Sequence, residues 1–196
     1  INNTNKTTFF GSNISTKYKI DTTGSEWTAQ VDYNYYGNTN TQLYKNFNYS
    51  PAKPTVSGDG ANKNNKQIFL FQTDLVLKFP KSLTLEAGFK TTISNSENSS
   101  NYFKDTGNNN RFVDVFQTNT FKYKENITAA YLQVSKTFAG FTIKPGLRLE
   151  VTDINGKQLI PKDTTLSLKR TDVFPYLFIK HKLFKLFGFP LIGNAI

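Results

Sequence analysis

The segment FTIKPGLRLEVT, residues 141–152, alternates apolar and polar side chains with a period of two. Its odd positions, from Phe141 to Val151, are apolar, and its even positions include Lys144, Arg148 and Glu150. Successive side chains of an extended strand point to opposite faces. The segment therefore predicts a strand with one apolar face and one charged face, and the class of protein depends on which face meets water.

Seven predicted strands account for most of the chain, and helical periodicity is scarce. Runs of Val, Ile, Tyr, Phe and Thr alternate with Asn-, Ser- and Gly-rich segments, which favours strands. The apolar phase switches within the fifth strand, which predicts a β-bulge near Ala129 and Ala130. Pro145 in the sixth strand predicts an edge or a bulge. The strands are predicted at about 10–20, 25–49, 66–79, 83–93, 120–138, 141–153 and 173–183.

The connections between the predicted strands alternate between short turns and long polar loops. The short turns lie at residues 21–24, 80–81 and 139–140, and the long loops lie at about 51–65, 94–118 and 154–168. An antiparallel meander with short turns at one end and long loops at the other is the layout of an outer-membrane β-barrel. In such a barrel the apolar face of each strand contacts lipid and the polar face lines the interior.

The distribution of charge agrees with this layout. A Lys on the lipid-facing side costs roughly 2–4 kcal/mol at the bilayer centre and about 0–1 kcal/mol near the interface. The central parts of the second, third, fourth and sixth predicted strands carry no charge in their apolar phases. Lys136 in the fifth strand is the exception, and it lies beside a short turn, where its ammonium group can reach water.

Composition argues against several other function classes. The chain has no Cys and a single His, so it can form neither disulfides nor a cysteine or multi-histidine metal site. No apolar run is long enough for a transmembrane helix. No nucleophile, metal or phosphate-binding motif of an enzyme is present. The net charge of +10 is dispersed along the chain, which argues against nucleic acid as a partner.

Several short runs carry a resemblance to a known family. They are Thr73-Asp74, Leu85 to Lys90, Phe121 to Tyr131, Gly146 to Thr152, Gly156, and Phe174-Pro175. In this order they resemble the barrel region of TonB-dependent receptors, in particular the outer-membrane β-barrel branch abundant in Bacteroidetes. The resemblance extends over most of the chain, from about residue 27 to residue 183.

The resemblance implies an all-β antiparallel meander that is part of a large transmembrane barrel of about 22 strands in the outer membrane of a Gram-negative cell. Residues 1–183 would form part of this barrel domain and residues 184–196 an irregular or truncated tail, so we expect the chain to be a piece of a longer receptor. The implied partners are outer-membrane lipid, the plug domain, the remaining barrel strands, TonB indirectly, and a transported ligand that the sequence does not identify. No cofactor and no enzymatic activity are implied.

An open set of seven strands cannot close a circle of about 22 strands. Its two edges would leave unpaired N–H and C=O groups in hydrocarbon, at several kcal/mol each. We therefore expect that this chain alone does not insert as a transport-competent barrel.

Charged residues in the polar phases are the candidate interior residues. We expect them to form a hydrogen-bonded and ion-paired network on the wall that faces the plug, whereas the long loops, especially residues 94–118, are the better candidates for ligand contact. The candidates are Asp32, Asp74, Glu86, Lys90, Lys144, Arg148 and Glu150.

Two alternatives to the receptor interpretation stay open from the sequence. The first is a small standalone outer-membrane barrel, in which the tail would supply an eighth strand. The second is a soluble all-β module that binds glycans or acts as an adhesin, because aromatic-rich sheets and Asn-rich loops would suit the stacking of sugars.

Overall fold

The computed structural model describes residues 1–46, 56–106, 110–160, 162–182 and 192–195. These residues form one antiparallel sheet of nine strands in which sequential strands are neighbours, except that the short fifth strand pairs with the fourth and the sixth pairs with the fourth as well. The predicted all-β antiparallel meander is therefore confirmed. The strands are β1 (Asn2–Lys19), β2 (Glu26–Asn46), β3 (Val56–Phe79), β4 (Leu83–Asp105), β5 (Arg111–Val113), β6 (Asn119–Phe138), β7 (Phe141–Ile160), β8 (Thr164–Lys182) and β9 (Ile192–Ala195). No helix in the described ranges is long and apolar enough to cross a membrane.

The register gives the sheet one apolar face and one polar face. Directly paired residues on neighbouring strands project to the same side. A row of such partners on the apolar face runs from β2 to β8 through Trp27, Leu75, Ala87, Leu132, Leu147 and Pro175. The adjacent row on the polar face consists of Thr28, Asp74, Gly88, Tyr131, Arg148 and Phe174.

The apolar face carries a charge-free band near the short-turn end of the sheet. Residues 69–79 of β3, 83–93 of β4 and 143–151 of β7 place no charged side chain on this face. A tilted transmembrane strand needs about 9 to 11 residues, and these three segments have that length. Charged side chains return on the same face beyond the band, at Glu97 and Lys124. The strands therefore extend well past the charge-free band on the side away from the short turns.

The apolar face is not covered by a second layer of the described chain. Leu132, Leu147, Val173 and Leu177 remain 52%, 51%, 57% and 58% exposed. Among the described apolar residues only Ala129 is buried. A soluble protein rarely leaves such a large contiguous apolar surface in water. The covering of this face must therefore come from outside the described residues, and a lipid bilayer is a covering that fits a charge-free apolar band.

The predicted long loops are mostly strand, which corrects the sequence interpretation. β4 continues through Asp105, and β7 and β8 are separated only by residues 161–163. The predicted loop at 51–65 is strand from Val56 onward, and its residues 51–55 lie outside the described ranges. These extensions are exposed to water on both faces, so their side chains are mostly polar. Their composition therefore predicted loops. Backbone pairing and hydroxyl contacts such as that between Ser99 and Thr120, at 3.3 Å, hold them together.

The bulge predicted near Ala129 and Ala130 is absent. Both residues pair in regular register with β4, opposite Lys90 and Phe89, and the register shift of β6 against β7 lies instead between Thr120 and Phe121. β6 keeps one phase through the predicted bulge, so the aromatic side chains of its outer half belong to the polar face.

Pro145 lies in an interior strand at neither an edge nor a bulge, so that prediction is also wrong. It pairs with Leu177 of β8, while the pairing of β7 with β6 is interrupted beside it and resumes without a shift at Ile143. This interruption is the expected effect of a residue without an N–H. Within the predicted tail, β9 pairs with β8, and residues 183–191 and 196 lie outside the described ranges.

The short turns are built from specific backbone chemistry. Ala139 and Gly140 have positive φ values of 46° and 81°, as the two central residues of a type I′ hairpin require. In the β1–β2 turn, the Asp21 carboxylate accepts hydrogen bonds from the backbone N–H groups of Thr23, at 2.8 Å, and Ser25, at 2.9 Å. Hydrogen bonds from the Ser25 and Thr23 side chains and from these N–H groups hold the pKa of Asp21 well below its ordinary value. The Ser25 hydroxyl also accepts from the Lys78 N–H at 2.8 Å, which ties this turn to β3.

Candidate functional site on the polar face

The seven candidate interior residues all project to the polar face of the sheet. The even positions of β2, β3, β4 and β7 share this face because the register pairs even with even across those strands, and β6 continues it with its odd positions. Asp32 lies on β2 and Asp74 on β3. Glu86 and Lys90 lie on β4, and Lys144, Arg148 and Glu150 lie on β7.

Glu86 is the centre of the best-connected polar cluster. Lys144 Nζ lies 2.9 Å from Glu86 Oε1 and 3.2 Å from Oε2, and Gln133 donates a hydrogen bond to Oε2. The cluster spans β4, β6 and β7, so one carboxylate ties three strands together. The Lys144 and Glu86 side chains are 28% and 23% exposed, which places the pair in a partly desolvated wall. An ion pair is stronger there than in open water.

Asp74 makes a second contact across three strands. Tyr131 donates its hydroxyl to Asp74 Oδ1 at 2.6 Å, reaching over β4 from β6 to β3, and Gln72 donates to Oδ2 at 2.8 Å. Sequence reasoning missed Tyr131 as a wall residue because it assigned the residue to a strand with a phase change.

The remaining candidates make local contacts within their own strand or with the next one. Arg148 donates to Glu150 Oε2 at 2.7 Å, two residues along β7. Asp32 accepts from Gln30 Nε2 at 2.6 Å and from Asn13 on β1. Lys90 forms no ion pair with a described residue, although it shares the face.

The polar face also contains tyrosine rings packed over glycines. Tyr131 lies opposite Gly88, and Tyr176 lies opposite Gly146. A Cβ atom added to either glycine would overlap the facing ring. These glycines are therefore needed for close approach, because only a residue without a side chain leaves room for a flat aromatic ring. A glycine at a polar-phase position inside a strand, such as Gly88 or Gly146, is a sequence signal for close approach, but the tyrosine that faces it follows only from the register.

Another contact that the sequence analysis did not predict lies on β8 and also pairs an acid with a base on the polar face. Arg170 Nε lies 2.6 Å from Asp172 Oδ2, repeating the Arg–x–acid arrangement that Arg148 and Glu150 form on β7. The polar face is thus lined by acids that each lie beside a base, an amide or a hydroxyl. No group of three or more potential metal ligands occurs in the described part of the chain. Such a surface suits polar contact with another protein layer or with water, and it offers no activated nucleophile.

The hairpin formed by β4 and β6 carries a further polar cluster, beyond the charge-free band. Lys104 Nζ lies 2.9 Å from Asp114 Oδ2, and the Asp114 side chain is only 2% exposed. The contact with Lys104 lowers the pKa of Asp114 despite the opposing effect of desolvation. Arg111 binds Asp59 with two nitrogens, at 2.9 and 3.2 Å, and its guanidinium lies 3.8 Å from the centre of the Phe103 ring. Specific side-chain contacts therefore hold the described part of the hairpin, residues 83–106 and 110–138, in place.

One family of known proteins matches most of the chain. None of the curated proteins matches the chain in sequence. Among solved structures, the chain is similar to the unliganded ferric citrate transporter FecA, with a TM-score of 0.45 and 13% identity over 90% of this chain. The chain spans 26% of that protein's length. The model of the outer membrane protein beta-barrel family matches residues 18–190. The chain therefore belongs to that family: it is a component of the Gram-negative outer membrane and not an enzyme.

Proposed function

We propose that the chain is a wall segment of a TonB-dependent receptor that imports a ligand across the outer membrane. The observation that carries the proposal is that the sheet is open: within the described residues, the outer edges of β1 and β9 pair with no other strand. Each unpaired backbone group in hydrocarbon costs several kcal/mol. In the membrane, these edges therefore need further strands beside them, and a wide barrel supplies such strands.

The polar face supports an interior packed against protein. The Glu86 and Asp74 clusters each bridge three strands: Lys144 balances the charge of Glu86, and neutral donors hydrogen-bond the carboxylate of Asp74. A partly desolvated wall whose carboxylates are already paired or hydrogen-bonded suits contact with a folded plug, because a buried charge without partners would be costly. TonB would act on that plug and not on this segment. The ligand would be contacted first by the long hairpins that extend beyond the membrane band.

A small standalone barrel is the second candidate. The main path of the sheet runs from β1 to β9 through eight strands, and eight is enough to close a small outer-membrane barrel. Closure would require β1 to pair with β9. The soluble glycan-binding or adhesin alternative is inconsistent with membership of an outer-membrane family.

Disulfide scanning in outer membranes separates the two candidates. The chain has no cysteine of its own, so single cysteines introduced along β1 and along β9 report only engineered contacts. The receptor proposal expects no β1–β9 disulfide at any register. A ladder of disulfides at successive positions would instead establish the small closed barrel.

The plug is tested from the polar face of the full-length protein. A photo-crosslinking residue in place of Arg148 should join β7 to an N-terminal segment of the same polypeptide. The same residue in place of Leu149, whose side chain projects to the apolar face, should give no protein crosslink. If neither position 148 nor position 149 gave a protein crosslink, the result would contradict a plugged barrel.

A further inference from the structure

The apolar face contains a groove immediately beyond the charge-free band. Its volume is about 590 Å³, and it lies where the lipid-facing surface changes from apolar to polar. One row of paired residues crosses it, through Tyr35, Gln67, Asn95, Lys124 and Asn155. The next row toward the membrane contains Tyr33, Phe69 and Ile93, which belong to the apolar surface. The groove therefore lies at the height where lipid headgroups begin.

Three lysines project into this region from two neighbouring strands. Lys122 on β6 lies directly opposite Lys157 on β7, and Lys124 lies two residues along β6 on the same face. Like charges directly opposite each other destabilise a sheet unless something neutralises them. The arrangement is therefore unfavourable for the sheet alone, and an anion would relieve it.

The nearby carboxylates neutralise the cluster only in part. Asp153 lies on the same face one row toward the band, accepts a hydrogen bond from Asn155 at 2.8 Å, and is itself opposite Lys169 of β8. Lys122 lies 3.4 Å from Glu97, which is 47% exposed, and Lys157 lies 3.4 Å from Asp163, which is 65% exposed. Exposed pairs at such distances contribute little. Lys124 has no carboxylate partner among the described residues. The cluster thus keeps positive charge available at headgroup height.

We propose that this groove binds the phosphorylated sugar headgroup of a lipid in the outer leaflet. Lys122, Lys124 and Lys157 would contact phosphate oxygens, and the amides of Gln67, Asn95 and Asn155 would bond sugar hydroxyls. The acyl chains would lie along the charge-free band below. The proposal depends on the outer-membrane location and holds for a wide receptor barrel and for a small closed one.

The test compares two triple variants of the full-length protein, purified from outer membranes in detergent and stripped of lipid. One variant replaces the groove lysines, as Lys122→Gln, Lys124→Gln and Lys157→Gln. The control replaces three lysines on the polar face with the same loss of charge: Lys19→Gln, Lys66→Gln and Lys180→Gln. Bound lipid is counted by native mass spectrometry in titrations with diphosphoryl lipid A, and a thermal melt of each variant establishes that it is folded.

The groove variant should bind diphosphoryl lipid A at least about tenfold more weakly than the parent protein, since each surface lysine contributes to binding an anionic headgroup. The control should bind like the parent. Enzymatically dephosphorylated lipid A should bind the parent as weakly as the phosphorylated lipid binds the groove variant. Millimolar inorganic phosphate should not displace the lipid.

Three results would overturn the proposal. The first is equal affinity of the folded groove variant and the parent. The second is equal binding of the phosphorylated and dephosphorylated lipids. The third is displacement by inorganic phosphate, which would show that the lysines form a simple anion site and not a headgroup site.

Discussion

Replacement of Leu132 by Lys tests whether hydrocarbon covers the apolar face. β6 provides native reference positions for this experiment, because lysines at positions 124 and 136 lie on this face at the two ends of the band. Leu132 lies between them, is 52% exposed in the chain, and pairs with Leu147 and Ala87 on the same face. A lysine introduced there has no described charge to pair with and, at the middle of the band, little access to water.

The expected cost follows from depth in the bilayer. A lysine near the bilayer midplane costs about 2–4 kcal/mol, and one near an interface costs about 0–1 kcal/mol. Leu132→Lys should therefore lower the free energy of unfolding by about 2–4 kcal/mol, and Val134→Lys by less because it lies closer to the turn. Gln133→Lys is the matched control, since its side chain projects to the polar face beside Glu86. It should cost less than about 1 kcal/mol.

The assay is guanidinium-induced unfolding of the full-length protein reconstituted in phosphatidylcholine vesicles. The reasoning predicts a cost that peaks near Leu132, declines toward Lys136, and is small at Gln133. Equal costs at positions 132 and 133, or a profile that does not change along the strand, would refute it. A soluble sheet packed on protein would give a similar cost at every core position.

Four further predictions concern other parts of the molecule. Lys104→Met should expose the β4–β6 hairpin to faster proteolytic cleavage, because Asp114 would be left as a buried unpaired carboxylate, and adding Asp114→Asn should restore resistance. Because the pKa of Asp21 is lowered in the folded state, its carboxylate stabilises the turn fully above about pH 4, and this stabilisation is lost as the pH falls through the folded pKa. Thermal melts should show Asp21→Asn reducing stability at neutral pH and weakening the acid dependence. Gly88→Ala should cost about 1–3 kcal/mol in chemical unfolding by displacing the Tyr131 ring, and less in a Tyr131→Ala background. Finally, this chain alone in liposomes should give no ligand flux, and measurable flux would show that it closes by itself.

Strand identity and facing were predictable from the sequence because alternation is a local signal. The segment from Phe141 to Val151 alternates in the sequence and does so in β7. All seven candidate residues share the polar face because the same parity rule applies along each strand. The short turn at residues 139–140 was predictable as well, since it separates two alternating runs and Gly140 readily adopts the positive φ that a two-residue hairpin requires.

Strand length and cross-strand partners were not predictable in the same way. The polar extensions of β4 and β7 look like loops because neither face meets an apolar environment, and their pairing partners are distant in sequence. The phase of β6 was misjudged at Tyr131 for a related reason. Its ring packs over Gly88 and bonds Asp74, two contacts that depend on register across three strands.

The central claim is that lipid covers one face of this sheet and a polar interior the other. Single spin-labelled cysteines at positions 147–152 of β7 in the membrane-embedded protein test it directly, because the chain has no native cysteine. The account predicts high accessibility to oxygen at positions 147, 149 and 151. Positions 148, 150 and 152 should favour a water-soluble nickel reagent or exclude both probes. Equal oxygen accessibility on the two faces, or odd positions shielded from oxygen, would contradict the account.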